Sequence, residues 1–286
     1  MMFAILILSS AIFITIRSQV TVTSLVEGRL VQIASFPPIS TFQASVTLVQ
    51  DGTNIILIDT PTATDTAAMT QMLNGMQQRN LSPAQVNMVV VTHGHPDHFG
   101  QDGSFAAATH YYNNFIYIGA SQFTPLTFDS MGSVQLTPNV QLWQTPGHTP
   151  QDVSVIVRNV PSRGTVAVVG DLFLHASGVM NPQMWESFAW NIQTGKQNRN
   201  KVICAVDYIV PGHGPIFQVT TEMKNMAACS ISGNNPISGQ MMMYPGSNMA
   251  LQCFSNANCA SFADYANCVR STRMNHNVCC STTSCP

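Results

Sequence analysis

"THGHPDHFG", residues Thr92 to Gly100, places three histidines and an aspartate within six consecutive positions. The stretch follows "VNMVVVT", an apolar run typical of a buried strand. Gly94 and Pro96 allow a tight loop that aims neighbouring side chains at different points. Imidazole and carboxylate groups are the ligands that zinc takes in hydrolytic sites. The pattern therefore predicts a metal-binding turn at a strand end, with a polar loop as the alternative.

Three other apolar runs end in residues of the same kind. "LWQTPGH" ends at His148, "VAVVGD" ends at Asp171, and "DYIVPGHG" contains His213. Because functional groups gather on loops beyond strand ends, we expect these turns to meet the first one at one rim of a sheet. The three histidines without this context are interpreted as surface or packing residues: His110, His175 and His276.

The candidate ligands comprise five imidazoles and two carboxylates: His93, His95, Asp97, His98, His148, Asp171 and His213. One hydrolytic zinc takes three protein ligands and keeps a position open for water, so this set predicts two Zn²⁺ ions and one bridging carboxylate. Iron and manganese are alternatives. The predicted nucleophile is a metal-bound hydroxide, because bound metal lowers the pKa of water to about 7. Asp97 is the predicted catalytic residue, since it can orient that hydroxide and accept a proton.

Length and composition limit the class of protein. At 286 residues the chain can form one large domain with a small appendage. Charged residues make up only 8% of the chain, against about 25% in an average domain. The formal net charge is −2 and the eleven lysines and arginines are scattered, so the chain has no broad basic surface of the kind that marks nucleic-acid binders.

Apolar patterning predicts a mixed fold of strands and helices. From Phe42 the sequence alternates, turns at Asp51-Gly52 and resumes as an apolar run, which indicates a hairpin. Helix spacing follows Pro61 and recurs from Trp185 to Ala205. Further short apolar runs between these segments predict strands. The mixture indicates an α/β or α+β fold in which helices cover sheets.

Both ends of the chain suggest export. The apolar run from Phe3 to Ile16 is shorter than a bilayer span of about 20 residues and fits a signal peptide over residues 1–18, with an uncleaved anchor as the alternative. No other segment predicts stable membrane insertion. We expect a catalytic domain over 19–222, a linker over 223–250 and a Cys-rich module over 251–286. The module's disulfide candidates are Cys253, Cys259, Cys268, Cys279, Cys280 and Cys285, with a zinc-binding tail as the alternative.

The His-x-His-x-Asp-His stretch and the three later ligands resemble the metallo-β-lactamase superfamily. That resemblance implies an αββα sandwich with a di-metal site at one edge. It implies these roles: His93, His95 and His148 on the first metal, Asp97, His98 and His213 on the second, and Asp171 as the bridge. Asp59, after "NIILI", matches an aspartate that supports the metal loop. Aspartate at 171, where antibiotic-destroying lactamases carry cysteine, favours the thioesterase, lactonase and nuclease branches.

Two narrower resemblances point in different directions. "TPGHTPQDVSVIV" and "VDYIVPGHGPIFQV" are similar to the family of metallo-β-lactamase domain-containing protein 1, over roughly Val31 to Val219. This implies a zinc-dependent endoribonuclease that acts on RNA as a homodimer in cytosol and nucleus. "CASFADYANC" resembles the six-cysteine ShK module, which together with the N-terminal run favours a secreted protein.

Three functions therefore stay open from the sequence. One is a phosphodiesterase of the endoribonuclease type. The second is a secreted hydrolase of a small ester, thioester or lactone. The third is a secreted binding protein that acts through its Cys-rich tail.

Overall fold

The computed structural model describes residues 19–33, 39–119, 122–229, 267–270 and 277–280. The predicted signal peptide over 1–18 lies outside these ranges, as do His276 and most of the predicted linker. Three disulfide candidates lie outside them too: Cys253, Cys259 and Cys285. Within the described ranges, none of the helices combines the length and hydrophobicity that a membrane span requires.

The first sheet has seven strands in the order β1-β4-β5-β6-β7-β8-β9. Its strands are β1 (Thr21–Val26), β4 (Val46–Asp51), β5 (Asn54–Ile58), β6 (Met88–Val91), β7 (Thr109–Tyr112), β8 (Phe115–Ile118) and β9 (Gln122–Pro125). The central strands β5, β6 and β7 are parallel, and the outer strands are antiparallel. The predicted hairpin at Asp51-Gly52 is present as β4 and β5, and Gly52 has the positive φ of 65° that this tight turn uses.

The second sheet has six strands in the order β10-β11-β12-β13-β14-β15. They are β10 (Ser133–Thr137), β11 (Val140–Gln144), β12 (Val153–Val160), β13 (Gly164–Val168), β14 (Tyr208–Val210) and β15 (Phe217–Gln218). Only β13 and β14 pair in parallel. A separate antiparallel pair, β2 (Arg29–Ile33) and β3 (Ile39–Gln43), precedes β4.

The two sheets pack face to face, and strand alternation explains how. Ile56 and Ile58 of β5 share one buried cluster with Val155 and Val157 of β12, so these side chains fill the space between the sheets. Leu57, between the two isoleucines, faces the opposite way and packs under a helix. Both faces of the central strands are therefore apolar, as expected for sheets covered on both sides.

Helices cover the outer face of each sheet. α1 (Thr66–Gln77) packs Met72 and Met76 on the first sheet, and α5 (Ile192–Ala205) packs Val202 and Ile203 on the second. The shorter helices are α2 (Pro96–Phe99), α3 (Ser177–Met180), α4 (Gln183–Phe188) and α6 (Thr221–Met226). The layers are helix, sheet, sheet and helix, which confirms the predicted αββα sandwich.

The predicted helix from Trp185 to Ala205 is wrong in one respect, because it is two helices. α4 ends at Phe188 and α5 begins at Ile192. The interruption has a tertiary cause: the backbone N–H groups of Trp190 and Asn191 donate to the carbonyls of His148 and Gly147. Asn191 then caps α5, since its side chain accepts from the Thr194 N–H at 2.9 Å.

Two disulfide observations bear on the chain's second half. Cys204, at the end of α5, is bonded to Cys229, and the sequence interpretation had assigned neither cysteine a partner. α6 crosses residue 222 and this bond reaches residue 229, so the packed domain continues past the predicted boundary. Cys280 is also disulfide-bonded. Cys268 and Cys279 occupy paired positions on β16 (Asn267–Arg270) and β17 (Asn277–Cys280).

Candidate metal centre

Two parallel strand pairs bring the candidate ligands to one edge of the sandwich. Val168 of β13 lies in register with Val210 of β14, and Asp171 and His213 each follow three residues later. In the first sheet, Ile58 is in register with Val90, so Asp59 and the turn that begins at Thr92 leave side by side. The Val153 N–H donates to the Thr92 carbonyl at 2.9 Å and joins the two sheets at this edge.

All seven predicted ligands lie together at this edge, in two groups. The first group contains His93, His95, His148 and Asp171, and the second contains Asp97, His98 and His213. Within each group the donor atoms lie within 4.8 Å of one another. Four donors placed about 2.0–2.1 Å around a tetrahedral ion are about 3.3 Å apart, so the spacing is close to that of a coordination shell.

In the first group the imidazoles surround His95. Its Nδ1 lies 3.0 Å from His93 Nε2 and 2.9 Å from His148 Nε2. His93 and His148 are buried, whereas His95 is exposed. The first group therefore opens to solvent on the His95 side.

In the second group, Asp97 faces two buried imidazoles. Its Oδ2 lies 3.7 Å from His98 Nε2 and 3.7 Å from His213 Nε2. Pro96 is the first residue of α2, and this single helical turn places Asp97 and His98 on the second group while His95 stays with the first. The predicted tight loop is thus half loop and half helical turn.

Asp171 lies between the groups, and its carboxylate is within 3.5 Å of imidazole nitrogens in both. Oδ2 is 3.5 Å from His148 Nε2 in the first group and 3.2 Å from His213 Nε2 in the second. Oδ1 is 3.3 Å from His98 Nε2 and 3.1 Å from His213 Nε2 in the second group. A carboxylate with this arrangement can bridge two ions.

The charges of the two groups differ because their neighbours differ. Burial and the neighbouring imidazoles hold the pKa of His93 well below its usual value, and burial also lowers that of His148. In the second group, burial opposes charge, but the carboxylates of Asp171 and Asp59 raise the pKa of His98 well above its usual value. The pKa of His213 is raised by Asp171 against the same effect of burial. Burial likewise disfavours the Asp171 carboxylate, yet His98 and His213 hold its pKa well below the usual range.

Oxygen atoms behind the second group orient its imidazoles. Asp59 Oδ2 lies 2.7 Å from His98 Nδ1, and Asp59 also accepts from the Thr92 N–H at 2.7 Å and the Thr92 hydroxyl at 2.8 Å. The Gln43 carbonyl lies 3.0 Å from His213 Nδ1. A proton held on each Nδ1 leaves each Nε2 lone pair facing the site, which is the arrangement of metal-binding histidines. Asp59 thus lies where support of the metal loop requires it.

Asp152 and α5 hold the His148 turn. Asp152 accepts from the N–H groups of His148 at 2.7 Å and Thr149 at 2.9 Å, and from the Thr149 hydroxyl. Asn198 of α5 donates to the Pro146 carbonyl. A Cβ on Gly195 would lie 2.2 Å from the Trp185 ring, so glycine is what allows α5 to approach the site this closely.

The Asp171 turn is held by Trp185 and Arg199. Trp185 Nε1 donates to the Asp171 carbonyl at 2.9 Å. Arg199 is buried, lies over the rings of Phe173 and Trp185, and donates to the Leu172 carbonyl at 2.6 Å. Burial lowers the pKa of Arg199 to about 9. The backbone beside Asp171 is thus fixed from behind by a buried cation between two aromatic rings.

The donor set fits divalent metal ions. Among the described residues, His98 Nε2 and Asp171 Oδ1 are buried and have no hydrogen-bond partner, although buried polar atoms in proteins are nearly always paired. The two atoms face each other at 3.3 Å. Imidazole and carboxylate donors suit zinc, and also iron and manganese. The His/Asp cluster on this fold therefore suggests a divalent metal, typically zinc.

The described histidines outside the seven lie elsewhere. His110 is buried, with Nε2 3.1 Å from the Phe105 carbonyl and its ring stacked on Tyr117. His175 is half-buried, and its Nδ1 lies 3.2 Å from the Ser177 hydroxyl. Neither belongs to a donor group.

The supporting residues of the site were missed in the sequence analysis. One of them could have been found from the sequence, and three could not. Asp152 follows His148 by four residues in the same turn, so a search for capping carboxylates could have found it. Gln43 acts through its backbone, Trp185 acts from α4 and Arg199 acts from α5. Residue type carries no signal for these three, because their roles depend on which segments meet in space.

Comparisons with known proteins agree with this geometry. Residues 39–113 match the family described as the metallo-beta-lactamase superfamily. An uncharacterised protein of Caenorhabditis elegans is 47% identical over 187 residues, which cover 65% of this chain and 51% of that protein. Metallo-beta-lactamase domain-containing protein 1 of Xenopus laevis is 33% identical over 187 residues, 62% of this chain and 74% of that protein. The chain spans about half the length of the first curated relatives that it matches.

Among solved structures, a candidate metallo-beta-lactamase from Thermotoga maritima superposes with a TM-score of 0.54 at 15% identity. The match covers 70% of this chain and 100% of that one, and at this identity it shows the fold alone. The frog relative, whose length is mostly covered, establishes common descent. The chain belongs to the metallo-beta-lactamase superfamily and has its hydrolase fold.

Proposed function

We propose that this chain is a hydrolase that uses two divalent metal ions, with zinc as the first choice. The observation that carries the proposal is the position of Asp171, whose carboxylate lies within 3.5 Å of imidazole nitrogens in both donor groups. His93, His95 and His148 would hold one ion, and Asp97, His98 and His213 would hold the other, with Asp171 shared. The wider superfamily resemblance implies the same roles.

When bound, such ions lower the pKa of a coordinated water toward 7 and polarise the oxygen of the bond to be broken. The chain's own residues supply the rest. Asp97 is the second-group member that solvent reaches, with its side chain 20% exposed, so its carboxylate can orient a water molecule and accept a proton from it. Thr92, Asp59 and the Gln43 carbonyl hold the imidazole rings, and Asp152 holds the His148 turn.

Two kinds of bond are candidates. A phosphodiester bond in RNA follows from the resemblance to the endoribonuclease family. A carboxylic ester, thioester or lactone is favoured by a specific observation, because two exposed aromatic residues, Phe188 and Trp190, adjoin the ligand turns. In either case water adds across the bond, giving an acid and an alcohol or thiol, which for a lactone stay on one molecule.

The experiment is a metal assay followed by a substrate panel on the purified full chain. Metal content is measured by mass spectrometry, then RNA, bis(p-nitrophenyl) phosphate, p-nitrophenyl acetate, a thioester and a lactone are tested with and without chelator. We expect up to two ions per chain and one bond class that is cleaved only with metal. His95→Ala should lose metal and activity, whereas His175→Asn, outside both donor groups, should lose neither.

An unaltered rate in His95→Ala, or a protein that binds no metal, would contradict the proposal. The alternative in which the Cys-rich tail alone carries the function would then be preferred. Cleavage of RNA alone, stopped by chelator, would identify the phosphodiesterase.

We also propose that the chain is exported. The support is the Cys204–Cys229 disulfide, the bonded state of Cys280 and the apolar N-terminal run, because disulfides persist mainly in oxidising compartments. Mass spectrometry of protein from a eukaryotic secretion host tests this. We expect a mature N-terminus after residue 18 and bonded cysteines. An intact N-terminus on a cytosolic, reduced protein would favour the cytosol and nucleus of the resembled family, where a homodimer is the predicted state.

A further inference from the structure

Exposed apolar side chains are concentrated in the segment between the Asp171 turn and α5. Eleven large apolar side chains are exposed in the described part of the chain. Five of them fall within thirteen consecutive positions: Met180, Met184, Phe188, Trp190 and Ile192. Phe188 is 41% exposed and Trp190 is 55% exposed. Clusters of this kind mark binding surfaces, whereas single exposed apolar residues do not.

Two residues of this segment, Phe188 and Trp190, connect it to the ligand residues. The Phe42 ring lies 5.2 Å from the His213 ring and 5.7 Å from the Phe188 ring, centroid to centroid. On the other side, the Trp190 N–H donates to the His148 carbonyl at 3.0 Å. We call Phe42, Phe188 and Trp190 the aromatic lip. It reaches from a second-group ligand to a first-group ligand.

The described charged side chains near the lip are paired with each other, buried, or on the opposite face of a strand. Glu186 and Lys196 pair with each other at 2.7 Å, and Arg199 is buried. Arg29 lies opposite Gln43 in the β2–β3 pair, one position along from Phe42, so strand alternation puts it on the other face. A phosphate backbone is bound chiefly by lysine and arginine, and this lip offers it none among the described residues.

The Phe42 and Phe188 rings do not form a slot for a nucleobase. A base stacks flat on an aromatic ring, which needs an open face or a slot between parallel rings. The Phe42 and Phe188 rings meet edge to face, at 81°. Met180 and Met184, exposed in the same segment, have flexible side chains of a kind that adapts to a chain of methylenes.

From this geometry we propose that the aromatic lip binds the apolar acyl group of an uncharged carboxylic ester, thioester or lactone, and so selects this substrate class over nucleic acid. The inference rests on the proposed hydrolase function. Hydrolysis would break the acyl bond to oxygen or sulfur, with the acyl chain on the lip and the acyl carbon at the metal centre.

The test is the dependence of kcat/KM on acyl chain length. Zinc-loaded full-length protein is assayed with p-nitrophenyl acetate, butyrate, hexanoate and octanoate, beside an RNA oligonucleotide. Complete burial of one methylene is worth about fourfold in binding, so we expect kcat/KM to rise about tenfold or more from acetate to octanoate even with partial burial. Trp190→Ala and Phe188→Ala should each lower the octanoate-to-acetate ratio by about threefold or more.

The matched control is Phe123→Ala, an exposed aromatic on the edge strand β9, which should leave the ratio unchanged. Zinc content of each variant is measured in parallel, so that a changed ratio at full metal content reports on the lip. Octanoate binding to the metal-free protein, followed by tryptophan fluorescence, provides a readout without catalysis. It should weaken in Phe188→Ala and not in Phe123→Ala.

The outcomes separate the two proposals. Ester cleavage without chain-length dependence, or cleavage of RNA alone, overturns the lip proposal while the hydrolase stands. A protein without metal or hydrolysis overturns the hydrolase, and octanoate binding still decides the lip. Equal octanoate affinity in Phe188→Ala, Phe123→Ala and the parent would overturn the lip proposal on its own.

Discussion

The two donor groups share Asp171 but are built differently. In the second group, His98 and His213 are held through their own Nδ1 atoms, by Asp59 and by the Gln43 carbonyl. In the first group, His93 Nδ1 lies 3.2 Å from the Thr92 hydroxyl, His148 is held through its backbone by Asp152, and His95 is exposed. Both imidazoles of the second group are therefore oriented by oxygen atoms of the fold, whereas exposed His95 in the first group depends more on the metal to order it.

The two groups also differ in how readily their imidazoles hold a proton. Nearby carboxylates favour the charged form of the second-group imidazoles, and burial among other imidazoles favours the neutral form in the first group. Since metal binds neutral imidazole, metal binding should release protons more from the second group than from the first.

The largest effect should come from removing what the groups share. Asp171→Asn keeps the side-chain shape but loses the charge that faces both groups. Loss of a ligand should exceed the 10- to 100-fold typical of outer partners, so we expect well over a hundredfold loss of activity and weaker metal binding at both groups. Metal stoichiometry and kcat/KM measure this. Full retention of either ion would show that the groups are independent.

Displacing the Asp171 carboxylate by a steric clash should reduce activity less than removing its charge. A Cβ on Gly212 would lie 1.9 Å from Asp171 Oδ1, so Gly212→Ala should push the carboxylate out of place. Misplacement by about 1 Å can cost about a hundredfold in rate, and we expect a loss of that order at kcat/KM. Gly103→Ala is the control, because a Cβ there meets nothing within 4 Å. Equal activities in the two variants would contradict the bridging geometry.

Substitution of either supporting aspartate should weaken metal binding at one group only. Asp59→Asn should weaken metal binding at the second group by about 10- to 100-fold, and Asp152→Asn should act on the first group. Asparagine suits position 59 because Asp59 has a φ of 59°, a conformation that asparagine tolerates. Titration with zinc should lose one affinity phase in each variant. Loss of the same phase in both would break the distinction between the groups.

The smallest effect should be a difference in pH dependence. The raised pKa values of His98 and His213 mean that these rings hold protons to higher pH than ordinary histidines, so metal affinity at the second group should fall as pH falls. The lowered pKa values of His93 and His148 leave those rings neutral, so the first group should keep its ion to lower pH. Equilibrium dialysis against zinc between pH 7.5 and 6 should show stoichiometry falling from two toward one. Parallel loss of both ions would contradict this.

In the metal-free protein, the histidines of the two groups should contribute to folding stability with opposite pH dependence. A base whose pKa is raised by folding stabilises the protein below its unfolded pKa, and this contribution is lost as pH rises through the folded value. His98 and His213 should therefore favour low pH, whereas His93 and His148 should favour high pH. In thermal unfolding without metal, His98→Asn should remove part of the low-pH stabilisation.

Local signals in the sequence were sufficient for much of the fold. The hairpin at Asp51-Gly52 and the helix after Pro61 are where their patterns predict them, because turn chemistry and helix spacing act over a few residues. The helix from Trp185 to Ala205 was over-extended. Its break serves the His148 turn, which is about 40 residues away in the chain, and no local pattern contains that information.

By itself, the sequence determined that the chain has strand ends carrying a metal-type donor set, within an αββα superfamily. Ligand chemistry resides in residue types, and their positions after apolar runs are visible in one dimension. Only the tertiary structure decided that Asp171 faces both groups, that α5 supports the site from behind, that Cys204 pairs with Cys229 and that an aromatic lip adjoins the ligands. Each of these depends on a contact between segments distant in the chain, which residue type alone does not specify.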